Sequence, residues 1–393
     1  MKNEKLMTID ELKTTLLADE GLKSNPPDVA RVIDLLRLHT VANGLINPQS
    51  DSETFWNQLL KTWMAVIYEL AKRNLHRPAI TVVSAFYDRL NELQAIDNKR
   101  YHKGAPAMYF GRLYNALGEF QPAAWFFVMT IIEDVISKKT DIQDTLAAKD
   151  LRNSFGWNEA DIKTIAEGVL ELKQPELRHP EIVAVDLLRK GKLNFPPTAK
   201  SESEIPINRT LLNQLICDLS NGQSTDEKKK SLEFLASYLA ITLPSVKIKA
   251  NVKTFEQGIT FEHEIDLVVI QHTKQPTYLL EALGRHFLIE CKNLKDKDGV
   301  SVSDLNHFLA KIRFHGCKCG VIFSRNGLTG GKEKDTGLKY ARLTQLRWYH
   351  QDGCIVIVIN EAQLREMVTG SISFAELLLQ GYESVKFSIP EGA

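Results

Sequence analysis

Glu290 and Lys292 stand two residues apart inside the apolar run HFLIECKN, residues 286–293, and Glu264 and Asp266 are spaced the same way inside HEIDLVVI, residues 263–270. In a strand, residues i and i+2 point to one face. The first run is therefore expected to present Glu290 and Lys292 together, with Phe287, Ile289 and Cys291 on the other side. The second is expected to present Glu264 and Asp266, with Ile265 and Leu267 opposite. If the two strands pair as neighbours, Asp266, Glu290 and Lys292 meet at one end of a sheet. Carboxylates drawn together in a partly buried place repel and resist ionisation, and a divalent cation relieves both problems. Oxygen ligands from one or two acids, completed by water, suit Mg2+ or Mn2+ rather than zinc. Such an ion polarises a phosphoryl oxygen and lowers the pKa of a bound water. Lys292 would orient that water or neutralise charge on the pentacovalent phosphorus. The implied chemistry is hydrolysis of a phosphodiester.

The E-x-K spacing alone carries no information, because it recurs at Glu11/Lys13, Glu171/Lys173 and Glu227/Lys229 in helical or polar text. The order carries it: an acid on an apolar strand, a loop, then E-x-K on the next apolar strand. For any one such pair the competing reading is a solvated sheet face or a cross-strand ion pair.

The elements that must position these residues lie in the second half of the chain. Helices are expected near 209–219 and 226–242, followed by strand-like runs at PSVKIKANV, HEIDLVVI and HFLIECK. A helix at VSDLNHFLAKIRFHG, a strand at CGVIFS, a helix at DTGLKYARLTQLRWYH and a strand at CIVIVIN complete the pattern. Strands arriving with helices between them predict an α/β sheet flanked by helices.

The first ~200 residues read differently, with apolar residues at three- and four-residue spacing and little alternation. In AMYFGRLYNALGEFQPAAWFFVMTIIED, residues 107–134, Gly111, Tyr114, Gly118, Ala123 and Phe127 fall at the offsets of a tetratricopeptide repeat, small where two antiparallel helices touch and large in the groove beside them. A weaker echo lies at Trp63, Leu70, Ala79 and Val83. The prolines and the polar tract TAKSESE between Lys173 and Ile207, with a short helix at most, put a domain boundary near residue 200. The fold class expected is thus multidomain: an all-α, tetratricopeptide-like domain over 1–200 that senses or docks, and an α/β domain over 205–393.

Residues 205–393, about half of the chain, resemble the PD-(D/E)XK nuclease superfamily, in the style of Mrr-like restriction endonucleases. KKKSLEFLASYL resembles that family's first helix, with Glu233 in the acid position; EIDLVV holds Asp266, and LIECKN holds Glu290 and Lys292. The resemblance implies a restriction-endonuclease-like central mixed sheet. It also implies that Asp266 and Glu290 bind Mg2+ or Mn2+ with the Cys291 carbonyl, that Lys292 assists the attacking water, and that Glu233 shapes the metal environment. DNA is the substrate it implies. The glutamine that some members carry on the next helix has no clear counterpart, with Asn306 or Lys311 as stand-ins, and Ile265 precedes Asp266 where the name of the superfamily has proline. A nuclease joined to a repeat-type domain resembles prokaryotic defence effectors that await a trigger, with a protein partner on the helical domain and a homodimer as possible forms. Two alternatives stay open: a repair or recombination nuclease for branched or damaged DNA, and a non-catalytic adaptor on a nuclease-like scaffold.

Composition narrows the partners. With 49 Lys plus Arg against 49 Asp plus Glu the chain is neutral, so no global field advertises nucleic acid or membrane. Residues 310–350 nonetheless hold nine Lys or Arg against two acids, around the glycine-rich SRNGLTGGKEKDTG, and Lys311, Arg313, Arg325 and Lys332 are the expected phosphate contacts. No run of ~18 apolar residues and no apolar signal core is visible, so the expectation is a cytoplasmic protein without a membrane partner. The five cysteines are odd in number and scattered, which suits a reducing compartment, and the C-x-C of Cys317 and Cys319 lacks a second pair at zinc spacing. Among the histidines only His102 and His263 lie near a motif, and both read as turn or edge residues.

Overall fold

The computed structural model describes residues 9–46, 52–97, 101–137, 141–174, 179–193, 195, 203–221, 224–244, 246–255, 262–271, 278–292, 299–328 and 336–387. The chain divides into two compact units, Met1–Gly118 and Glu119–Ala393.

The elements among the described residues of the first unit are all helices: α1 Ile9–Ala18, α2 Glu20–Lys23, α3 Val29–Ile46, α4 Ser52–Lys72, α5 His76–Asp97 and α6 Gly104–Ala116. Its core is mainly aliphatic, with aromatic pairs joining the helices. Trp63 stacks on Phe86 at 5.0 Å between ring centroids, joining α4 to α5, and Tyr87 meets Phe110 edge-on at 6.1 Å, joining α5 to α6. Trp63, Leu70, Ala79 and Val83, the fainter of the two repeat-like sets, are all fully buried.

The second unit opens with four more helices, α7 Phe120–Ile136, α8 Leu146–Phe155, α9 Glu159–Leu170 and α10 Pro180–Arg189. Phe127 and Phe120 both pack edge-on against Phe155. The expected tetratricopeptide hairpin therefore has its two helices, α6 and α7, in different units, and residue 200 falls inside the second. The stretch 180–189, read in the sequence as linker with a short helix at most, is a ten-residue helix that starts with Pro180 in its first turn, where a missing N–H costs nothing.

The rest of the unit is α11 Arg209–Asn221, α12 Thr225–Thr242, β1 Val246–Phe255, β2 Glu262–Gln271, α13 Tyr278–Leu283, β3 His286–Lys292, α14 Val302–Phe314, β4 Cys319–Ser324, α15 Thr336–Asp352, β5 Ile355–Ile359, α16 Glu361–Thr369 and α17 Phe374–Lys386. The strands form one mixed sheet in the order β1-β2-β3-β4-β5. The first two pairings are antiparallel; β3–β4 and β4–β5 are parallel, each joined by a crossing helix. The helical half and the α/β half expected from the sequence are both present at this coarse level.

Helices cover both faces of the sheet, and β3, β4 and the edge strand β5 are buried along nearly their whole length. On one face Leu288, Ile322, Val356 and Val358 form a core with Leu305, Phe308, Leu309 and Ile312 of α14. On the other, Phe323 stacks on Phe374 of α17. Gly320 is what lets α14 approach: a Cβ there would stand 2.5 Å from Ile312 and 2.6 Å from Phe308. Because α14 also carries side chains of the site described below, Gly320→Ala is expected to destabilise the fold by about 1–3 kcal/mol through overpacking. Urea unfolding at neutral pH measures it, and an unchanged midpoint would mean that α14 packs less closely than described.

Candidate active site

The site forms where β2 peels away from β3. Their ladder runs from Ile270 opposite His286 to Leu267 opposite Ile289 and stops there. Beyond that point the Cys291 N–H has lost its chance of a partner on β2, and the Asp266 carboxylate takes it instead: Cys291 N donates to Asp266 Oδ2 at 2.6 Å. On the other side of β2 the pairing of Ala250 with Leu267 and of Val252 with Ile265 brackets Asn251, whose φ of 51° is a left-handed conformation that asparagine tolerates. Asp266 thus sits at a distorted spot of the sheet, buried at 6% exposure.

Strict alternation along β2 does not hold. Glu264 is exposed, whereas Ile265, Asp266 and Leu267 are consecutively buried, and Ile265 joins the same core as Leu288 rather than standing apart from it. Layers on both faces account for the unbroken burial, whereas Ile265 and Val268, three residues apart, pack against the same core because the strand changes phase at the distortion around Asp266. The alternation along β3 does hold for its charges: Glu290 and Lys292 both meet α14.

Glu290 is gripped by Lys311, whose Nζ donates to Oε1 at 3.0 Å and to Oε2 at 2.8 Å; a third bond from the same ammonium goes to the Glu264 carbonyl at 2.8 Å. Lys292 Nζ lies 3.5 Å from Glu290 Oε1 and 3.4 Å from Asp304 Oδ1, a looser placement between two acids. Asp304 is fixed by the capping box of α14, in which Ser301 Oγ and N both donate to its Oδ2. Partial burial works against its charge, but the Ser301 hydrogen bonds and the Lys292 ammonium hold the Asp304 carboxyl below its ordinary value.

Glu233 approaches from α12. Arg189, the last residue of α10, donates to its Oε2 at 2.9 Å and to Ser237 Oγ at 3.3 Å. Lys229, one turn earlier on α12, lies 3.6 Å from Glu233 Oε1 and 3.9 Å from Asp266 Oδ1, so it bridges the two acids. Burial pushes the Asp266 carboxyl up to about 6; the Cys291 N–H opposes this, the negative charges of Glu290 and Glu233 reinforce it, and Lys229 offsets part. Burial, aided by the same carboxylates, also pushes the Cys291 thiol well above its ordinary value. The structure therefore brings together four of the sequence-predicted residues, Glu233, Asp266, Glu290 and Lys292, with Cys291 beside them.

No family model, curated protein or solved structure matches the chain.

Among the described residues no three His, Cys, Asp or Glu side chains gather as a metal-holding group. A two-carboxylate site completed by a backbone carbonyl and water asks for less. Asp266 and Glu290 offer only hard oxygens, the donor type that suits Mg2+ or Mn2+ rather than zinc.

The expected phosphate contacts have other engagements. Arg313 pairs with Asp352 at 2.7 Å and lies over the Trp348 ring at 4.7 Å from its centroid, and Arg325 pairs with Glu361 at 3.4 Å. Lys332 lies outside the described residues. Of the two stand-ins for a glutamine, Asn306 accepts a bond from Trp348 Nε1 at 3.1 Å, and Lys311 is the one at the site. His286 meets the His315 carbonyl, and the His263 side chain lies outside the described residues.

Four contributors were missed in the sequence. Lys229 had a signal, its i,i+4 spacing to Glu233 on one helix. Asp304 had another, the S-x-x-D pattern from Ser301. Arg189 had none, because only the packing of α10 brings it to α12. Ser324, whose Oγ is buried without a hydrogen-bond partner and whose residue pairs with Lys292 in the ladder, had none either.

Proposed function

We propose that the chain is a divalent-metal-dependent nuclease of the PD-(D/E)XK type that hydrolyses phosphodiester bonds, with DNA as its substrate. The observation that carries this reading is the meeting of Asp266 and Glu290 on adjacent strands at the point where the strands separate, with Lys292 beside them. Asp266 and Glu290, with the Cys291 carbonyl, would hold Mg2+ or Mn2+. When bound, such an ion acidifies a water and polarises a phosphoryl oxygen. Lys292, held loosely between Glu290 and Asp304, would donate to an attacking water or to the charge that grows on phosphorus. Glu233 carries no ligand role in this scheme: it anchors Lys229 and Arg189, and so sets the field at Asp266. The finer fold assignments, a restriction-endonuclease-like sheet domain and a tetratricopeptide-like helical region that receives a protein trigger in the cytoplasm, belong to the same proposal. No helix among the described residues is long and apolar enough to cross a membrane.

The test is incubation of the full-length protein with supercoiled plasmid, linear duplex, single strands and RNA, in Mg2+, Mn2+ or EDTA, beside Asp266→Ala and Lys292→Ala. Divalent-dependent cutting of DNA, lost in both variants, is the expected result. Cutting that persists in EDTA or in both variants overturns the site.

A second reading has a specific observation behind it. Each carboxylate of the site already has a cationic partner, as a purely structural ion-pair network would. That adaptor reading requires that Asp266→Ala leave the biological function intact.

A further inference from the structure

Lys311 was anticipated as a contact to a nucleic-acid phosphate, yet its ammonium is engaged inside the protein. All three of its N–H groups are used: two on the oxygens of Glu290 and one on the carbonyl of Glu264. The side chain is only 19% exposed. An ammonium that spans both oxygens of one carboxylate and takes a backbone carbonyl as its third partner is held as a small cation is held, by convergent oxygens.

The surrounding charges make the same point. Glu233, Asp266, Glu290 and Asp304 each have a cationic partner among Arg189, Lys229, Lys292 and Lys311, while Glu264 adds a further negative charge felt by Lys229. A divalent cation brought to Glu290 would face the Lys311 ammonium across the same two oxygens. Lys229, Lys292 and Arg189 each answer to another acid, whereas the only carboxylate within ion-pair reach of Lys311 among the described residues is Glu290. Lys311 is therefore the group whose departure relieves the conflict most directly. It sits near the C-terminal end of α14, on a long side chain able to swing away without moving the helix.

We propose that Lys311 is a built-in counter-cation of Glu290 that a divalent ion must displace, so that metal affinity is set by competition with this side chain. The inference rests on the nuclease reading, which supplies the metal. It makes Lys311 a positioning residue, not a catalytic one.

Mn2+ binding to the full-length protein, followed by the electron paramagnetic resonance signal of free Mn2+, tests it without any turnover. Lys311→Met is expected to tighten Mn2+ binding about tenfold, because one opposing positive charge is gone. Lys311→Arg, which keeps the charge, should stay within about twofold of the wild type. In the wild type, acetylation of Lys311 read by mass spectrometry should rise several-fold when Mn2+ is added, as the ammonium is released. This measurement stands even if Lys311→Met fails to fold. Unchanged or weaker binding in a folded Lys311→Met, or acetylation indifferent to Mn2+, overturns the competition. If Asp266→Asn still abolishes Mn2+ binding in that case, the nuclease site survives and only the role of Lys311 falls. A wild type that binds no Mn2+ overturns both.

Discussion

Asp266→Asn is expected to abolish divalent-dependent cutting and, at the same time, to make the metal-free protein more stable at neutral pH. The two effects share one cause. Asp266 is pushed from 3.8 up to about 6 by burial among other carboxylates, so its charged form is disfavoured in the folded chain. An acid whose pKa is higher folded than unfolded binds protons more tightly when folded, so stability falls as pH rises from about 4 to about 6 and the loss is complete above. The gap corresponds to about 3 kcal/mol, an upper figure for what the neutral amide restores at pH 7. Asparagine keeps an oxygen to accept the Cys291 N–H and discards only the charge. Urea unfolding in EDTA across that pH window measures the effect: the wild type should lose stability towards neutrality, and the variant should not. Cleavage should drop by at least about a hundredfold, since loss of a ligand exceeds the loss from disturbing its supports. A variant that is neither stabilised at pH 7 nor impaired in cutting would remove Asp266 from the site. The pattern expected is a residue retained at a cost to stability because its charge is used.

Arg189→Met is the second large effect, and it acts on stability from outside the sheet domain's obvious motifs. The guanidinium neutralises Glu233, which is 7% exposed, at 2.9 Å. Removing one partner of a buried pair leaves the other charge without compensation, which costs about 3–5 kcal/mol; the half-buried Arg189 puts this case at the lower end. Glu233 would keep only Lys229 at 3.6 Å. The double variant Arg189→Met/Glu233→Gln removes both charges and should recover most of the loss. If the double variant is as unstable as the single one, the loss comes from packing of the arginine stem and not from the stranded carboxylate.

The site was partly legible because its residues sit on strands with a fixed period. Glu290 and Lys292 are two apart on β3, and that spacing alone sends both to α14. The order of an acid-bearing strand before the E-x-K strand singled out Asp266, and the two strands do pair. The reading of β2 by alternation failed at Ile265, since the strand changes phase at the distortion around Asp266 and, covered on both faces, has no polar side to reveal it. Basic residues in 310–350 read as a surface for phosphate, yet Arg313, Arg325 and Lys311 are paired with Asp352, Glu361 and Glu290, which lie 39, 36 and 21 residues away. Counting charges in a window cannot see partners outside it.

The sequence by itself determined most of the elements around the site, though not the helix Pro180–Arg189. Helical periodicity, capping patterns such as Ser301 to Asp304, and apolar runs are local properties, decided by backbone hydrogen bonding and by which face of an element must be buried. It also determined that an acid, a second acid and a lysine would be delivered on consecutive strands. Only the tertiary structure decided where β2 and β3 part company, and with it that Asp266 caps the stranded Cys291 N–H. It also decided that α10 brings Arg189 to Glu233, and that Lys311 of α14 closes on Glu290. These are contacts between residues 21 to 44 positions apart. Their energies come from burial and from charge facing charge in a low dielectric, which exist only after the layers have packed.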